Sequence, residues 1–185
     1  MIVKWIPTPI EYDGSQLSPH WIFKNHQILG NSLVVFSGKC DVKIEKMVDL
    51  VDVGQNKPIF SQNMLHFIGE FFGISLESTI LYQRLLVSLM HQELIARTKK
   101  HHLVRGGNDL YDEDAKLSVS IATASPTSTL LHFGINIESK GTPVKTKGLL
   151  DYGLIAEEIG RAVMESFKHE FLSVIEARAK VRAVY

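Results

Sequence analysis

The chain has 185 residues, with 45% hydrophobic and 22% charged side chains. This composition is that of one ordinary globular domain spanning 1–185, and it excludes disordered and collagen-like classes. Twenty acidic residues balance twenty basic ones, so no net field points to nucleic acid or to a membrane surface. The lone Cys40 excludes an internal disulfide and a cysteine-cluster zinc site. No apolar run reaches the roughly 18 residues that a membrane span needs. The opening residues break their apolar character with Lys4, Pro7, Pro9 and Glu11, which argues against a secretory signal. The expectation is a cytoplasmic domain.

In chain order, Ile2–Ile6 reads as a short strand. Ser18-Pro19 reads as the start of a short helix over His20–Asn25. The apolar run Leu33–Ser37 predicts a buried strand ended by Gly38. Lys43–Asp52 mixes apolar and acidic residues and leans to a helical turn. Asp49 and Asp52 in it could hold Mg²⁺, but a solvated acidic turn is the safer reading. Met64–Phe72 reads as a strand. Ser75 then caps a long helix, Leu76–Thr98, with Leu81, Leu85 and Leu89 at spacing four. At the other end, Ile155, Ile159, Val163, Phe167 and Phe171 form the stripe of a second long helix, Ile155–Val181.

Between these helices the pattern changes to period two. Leu117, Val119 and Ile121 alternate with Lys116, Ser118 and Ser120. Leu131, Phe133 and Ile135 alternate with His132, Gly134 and Asn136. The two strands meet at the turn Ser125-Pro126-Thr127. Matching apolar faces sets Leu117 opposite Ile135, Val119 opposite Phe133 and Ile121 opposite Leu131. A preceding hairpin turns at Glu113-Asp114 and sets Leu110 beside Leu117, Asp109 beside Ser118 and Tyr111 beside Lys116. One sheet face is then expected to carry Asp109, Tyr111, Lys116, Ser118, Ser120, His132, Gly134 and Asn136. A solvated outer face is the bland alternative. Glycine and serine are poor strand residues, so in mid-strand they mark room for a ligand.

The string Gly106-Gly107-Asn108-Asp109-Leu110-Tyr111, followed by Asp114-Ala115-Lys116-Leu117-Ser118, resembles the Asn-Asp hairpin and Lys strand of biotin and lipoate protein ligases. Gly134-Ile135-Asn136-Ile137 resembles their next strand, and this likeness covers about a fifth to a quarter of the chain. The whole chain also resembles the family named domain of unknown function 366. That likeness runs through Asp13-Gly14-Ser15, His20-Trp21, Leu33–Cys40 and Lys116–Thr123. The ligase resemblance implies an α+β, class II synthetase-like fold, a mostly antiparallel sheet flanked by helices. It also implies activation of a small carboxylic acid as an acyl-adenylate and its transfer to a lysine.

On that resemblance Lys116 is the candidate catalytic residue, touching the acid and the phosphate. Asn108, Asp109, Ser118, Ser120, Gly134 and Asn136 are candidate substrate-binding residues. Arg105, Gly106 and Gly107 resemble an anion-binding segment of the lipoate ligases. The residues themselves name no cofactor; the resemblance implies ATP and Mg²⁺, with a small carboxylic acid or nucleotide as partner. Val119 replaces the glycine that closes the ligases' Lys motif, no glycine-arginine adenylate loop is found, and Cys40 lies too far upstream to match a transferase nucleophile. A non-catalytic binding relative therefore stays open beside the enzyme, as does a homo-oligomer that buries this face. Cys40 reads as a small buried hydrophobe, Lys39 as part of a strand-ending turn, and His66 and His91 as core histidines rather than ligands.

Overall fold

The computed structural model describes residues 1–100, 102–142 and 144–184. It is an α+β fold built on a five-stranded mixed sheet of order β1-β2-β3-β8-β7. The strands are β1 (Ile2–Trp5), β2 (Ser32–Val42), β3 (Ile59–Phe71), β7 (Ser118–Ala124) and β8 (Thr129–Asn136). Only the β1–β2 pair is parallel. A small second sheet, β4 (Leu103–Gly106), β5 (Asp109–Asp112) and β6 (Ala115–Lys116), lies at its β7 edge. Helices α1 (Trp21–His26) and α2 (Leu50–Gly54) are short; α3 (Leu76–Thr98) and α4 (Ala156–Lys180) are long.

The sheet is apolar on both faces, as strands covered on both sides tend to be. Leu33, Val35, Leu65, Phe67, Leu131, Phe133 and Ile135 pack under α3 and α4. Val34, Phe36, Met64 and Ile68 face the other way, against Ile6, Tyr12, Ile22 and Ile28 of the N-terminal segment. The Ser75 hydroxyl caps α3 by accepting the Ser78 N–H. The helix buries Thr79, Gln83, Leu86, Val87, Met90 and Leu94, while Leu81 is exposed. The spacing-four leucine stripe is thus rotated off the buried face. On α4 the expected stripe is buried from Ile159 to Phe171, and Ile155, before the first turn, is exposed.

Gly38 does not end its strand. β2 continues through it to Val42, with a register shift between Gly38 and Cys40. A Cβ at Gly38 would stand 2.0 Å from the Ile10 carbonyl oxygen, so glycine here lets two backbones meet. Lys43–Asp52 resolves into a 3₁₀ turn, Ile44–Lys46, and the start of α2.

The Glu113-Asp114 hairpin has the expected register, Tyr111 with Lys116 and Asp112 with Ala115. The β7–β8 register does not. Ser118 pairs with Ile135, Val119 with Gly134, Ser120 with Phe133 and Ile121 with His132, one residue off the apolar match. The matching rule assumes one dry face, and this sheet has two. Ser118 and Ser120 therefore lie on the helix side, and Val119 and Ile121 on the other. The alternation breaks where β6 gives way to β7: Leu117 is in the helix-side core and Ser118 follows it on the same side. That break returns Lys116 to the face opposite the helices.

Candidate functional site

Two cavities open on the face away from α3 and α4, and they share Lys116, Val119, Asp52 and Ile59. The smaller, about 220 Å³, is also lined by Tyr12, Asp49, Asn108, Asp109, Ile121 and His132. The larger, about 470 Å³ and more apolar, is lined by Lys57, Phe60, Met64, Asn136, Thr142 and Thr146 among others. The segment between β2 and β3 roofs both. Its acidic turn is partly structural, because Asp49 caps α2 through the N–H groups of Val51 and Asp52.

Lys116 is held from three directions. Its strand pairs with Tyr111. On its other edge its N–H donates to the Lys145 carbonyl and its carbonyl accepts from the Lys147 N–H. Its ammonium meets Asp109 Oδ2 at 2.7 Å. Burial pushes the Asp109 carboxyl up, and the Lys116 charge only partly offsets it. Burial pulls the Lys116 ammonium down, but Asp109 outweighs that and holds it above its usual value. The second oxygen, Asp109 Oδ1, is buried without a hydrogen-bond partner among the described residues.

The neighbouring candidates serve this hairpin. Asn108 Nδ2 donates to the Ser120 carbonyl, and the Ser120 hydroxyl donates to the Asn108 carbonyl while accepting from Gln83 Nε2 of α3. Ser118 Oγ accepts the Leu110 N–H at 2.8 Å. These hydroxyls tie β5 to β7, and Ser120 lines the smaller cavity and Ser118 the larger. Gly134 does make space, but for a side chain: a Cβ there would lie 2.3 Å from Met64 Sδ. Asn136 is buried and lines the larger cavity with Lys116, although the two are not register partners. Arg105 is exposed and donates to the Gly107 carbonyl; Arg105, Gly106 and Gly107 lie outside both cavity linings.

His132 was expected on the ligand face but was given no role there, and Tyr12 was not among the sequence candidates. His132 lines the smaller cavity, with Tyr12 stacked on its ring at 3.9 Å. Behind it His66 is fully buried, bonded to His132 and to the Gly38 carbonyl. The signal for this pair was two polar rings inside apolar strands. Cys40 is buried, with its thiol pushed up to about 12 by burial first and Asp41 second. Lys39 is half-buried and pairs with Glu11 and Asp41. Among the described residues no group of three or more His, Cys, Asp or Glu could hold a metal ion, and no helix is long and apolar enough to cross a membrane.

Comparison with known proteins agrees with this architecture. A solved Pyrococcus horikoshi protein of unknown function superposes with a TM-score of 0.92 at 35% identity, over 100% of both chains. A biotin protein ligase from Aquifex aeolicus, solved with biotin and ATP, superposes with a TM-score of 0.61 at 16% identity, over 90% of this chain and 69% of that one. A T. acidophilum protein assigned as a lipoate protein ligase, with bound lipoic acid, gives 0.55 at 11% identity, over 90% and 84%. At these identities the two likenesses establish the biotin/lipoate ligase fold. In sequence, an uncharacterised Methanocaldococcus jannaschii protein is 39% identical over 160 residues, 83% of this chain and 72% of that one. Residues 1–182 match the domain of unknown function family DUF366, and the chain belongs to that family.

Proposed function

We propose that the groove around Lys116 binds a small carboxylic acid beside ATP and joins them as an acyl-adenylate. The observation that carries this reading is the position of Lys116, a lysine shared by two adjoining cavities of different size and polarity. The smaller suits the acid and the larger the nucleotide. In the proposed step a carboxylate oxygen attacks the α-phosphorus. The bond to the bridging oxygen of the β-phosphate breaks, and pyrophosphate leaves. The Lys116 ammonium, kept protonated by Asp109, neutralises charge developing on the α-phosphoryl oxygens. Asn108, Asp109 and Asn136 orient the two ligands, while Ser118 and Ser120 fix the hairpin that carries them. Arg105 with Gly106 and Gly107, on the exposed hairpin edge, is reserved for an anionic group outside the cavities.

The test is acid-dependent exchange of radiolabelled pyrophosphate into ATP, with octanoate, lipoic acid and biotin as probes. Exchange that falls by about 10²-fold or more in Lys116→Ala supports the reading. Acid and ATP binding without exchange instead identifies a non-catalytic relative. Val119, standing where the ligases have glycine, favours that second reading.

A further inference from the structure

A third cavity, about 240 Å³, lies at the far end of β3 and shares no lining residue with the two around Lys116. β3 is 13 residues long, so Ile59 in the Lys116 groove and Glu70 in this cavity stand roughly 35 Å apart. Phe23, Ile28, Leu29 and Phe72 form apolar walls, and the polar lining consists of Glu70 and His20. Phe23 and Leu29 are exposed, so the cavity opens to solvent. Asn31 Oδ1 accepts the Phe72 N–H at 2.7 Å, which ties the segment after α1 to the end of β3 and keeps the walls in place.

Glu70 is 2% exposed, and a buried carboxylate is costly unless it is bonded and paired. Its Oε1 accepts from the His20 N–H at 2.8 Å and from the Ser128 hydroxyl at 2.7 Å. The first of these donors is a non-glycine residue held in the left-handed region, at φ 61. Oε2 takes no hydrogen bond among the described residues, yet it is not sealed from solvent. Among the described residues no Lys, Arg or His nitrogen forms an ion pair with either oxygen. The protein therefore orients this carboxylate through one oxygen and supplies no positive charge.

We infer that this cavity binds a small primary amine, its ammonium on Glu70 Oε2 and its apolar body, one ring or a short chain, against Phe23, Ile28, Leu29 and Phe72. The ammonium gives the buried carboxylate a charge-assisted hydrogen bond, and the aromatic walls suit a cation. One carboxylate among apolar walls matches one charge, so the further ammonium groups of a polyamine would go unpaired.

The probe is 2-phenylethylamine, with 2-phenylethanol as its uncharged control. Calorimetry at neutral pH is expected to show the amine binding about tenfold or more tighter than the alcohol. Glu70→Gln keeps an oxygen for His20 and Ser128 but removes the charge, and should bring the two affinities together. If that variant fails to fold, the wild-type ratio decides together with methyl NMR. There the amine should shift Ile28 and Leu29 and leave Ile59 and Ile121 of the Lys116 groove unchanged. Equal binding of amine and alcohol, no measurable binding of the amine, an unchanged amine affinity in folded Glu70→Gln, or shifts confined to Ile59 and Ile121 overturns the inference. Nα-acetyl-lysine methylamide presents the same ammonium on a peptide. If it binds tighter than 2-phenylethylamine, the site belongs to a lysine of another protein and the small-amine reading falls. Acid-dependent exchange at Lys116 can stand or fail independently of each of these outcomes.

Discussion

The Lys116 ammonium and Asp109 Oδ2 lie 2.7 Å apart, with the Asp109 side chain 12% exposed and the Lys116 side chain 33%. The pair sets a charge on the cavity wall without leaving it free. It also changes what removal of Lys116 does. In the fold its loss strands a buried carboxylate.

Lys116→Ala is therefore expected to destabilise the protein by about 1–3 kcal/mol at neutral pH. The sign of its pH dependence follows from Asp109. Its folded-state carboxyl is raised, so the folded chain binds this proton more tightly than the unfolded chain and stability is lost as pH rises through that value. Without Lys116 the carboxyl rises further. The deficit of the variant should shrink as pH falls and Asp109 protonates. Urea unfolding of both proteins from pH 7 to pH 4 checks this; a deficit independent of pH would mean that Asp109 is not the group left unpaired.

The His66–His132 pair predicts acid sensitivity of the opposite sign. Burial lowers His66 to about 3, and burial together with His66 lowers His132 well below its usual value. Below about pH 6.5 the unfolded chain takes up protons that the folded chain refuses. Stability present above that pH is lost as pH falls, with a slope approaching about 2.7 kcal/mol per pH unit for two protons. Subtracting the unfolding curve of His66→Leu/His132→Phe isolates this contribution. Parallel curves for the two proteins below pH 6.5 would contradict buried neutral rings.

Gly134 and Gly38 should respond differently to alanine. At Gly134 the obstacle is the Met64 side chain, at Gly38 the backbone of Ile10. Gly134→Ala should cost about 1–3 kcal/mol, and Met64→Ala in the same chain should recover much of it. A double-mutant cycle that gives no coupling would refute the close approach. For Gly38→Ala no side-chain change provides room, and the expected result is a protein that fails to accumulate in folded form.

These cases show where the sequence was readable. Leu76–Thr98 is bounded by its cap and its periodicity, and it forms with those limits. The Glu113-Asp114 hairpin is local, so its register follows from its turn. The β7–β8 register depends on which faces are dry. Nothing in Leu117–Ile121 alone tells that the N-terminal segment covers the second face, so Val119 and Ile121 were set on the wrong side. Lys116 reached its cavity through a break in alternation that period-two reasoning has no means to see. His132 stood on the expected face, but its hydrogen bonding needed His66, 66 residues away in sequence, and the Gly38 carbonyl behind it.

Val119 borders both cavities and pairs with Gly134. Its side chain packs against the core formed by Met64 and Phe36 and stands in the wall common to both cavities, where the ligases have a glycine. Val119→Gly removes that side chain. Glycine within a strand and the lost burial should together cost about 1–2 kcal/mol of stability, read as a lower urea midpoint. The same change should strengthen binding of ATP and the acid together, because the two cavities then open more widely into one another beside the ammonium. The measurement is calorimetric titration of one ligand with and without the other, in wild type and variant. Coupling between the ligands that rises in Val119→Gly fits a shared, functional junction. Coupling absent from both proteins would mean that the cavities act separately and that Lys116 does not join two substrates.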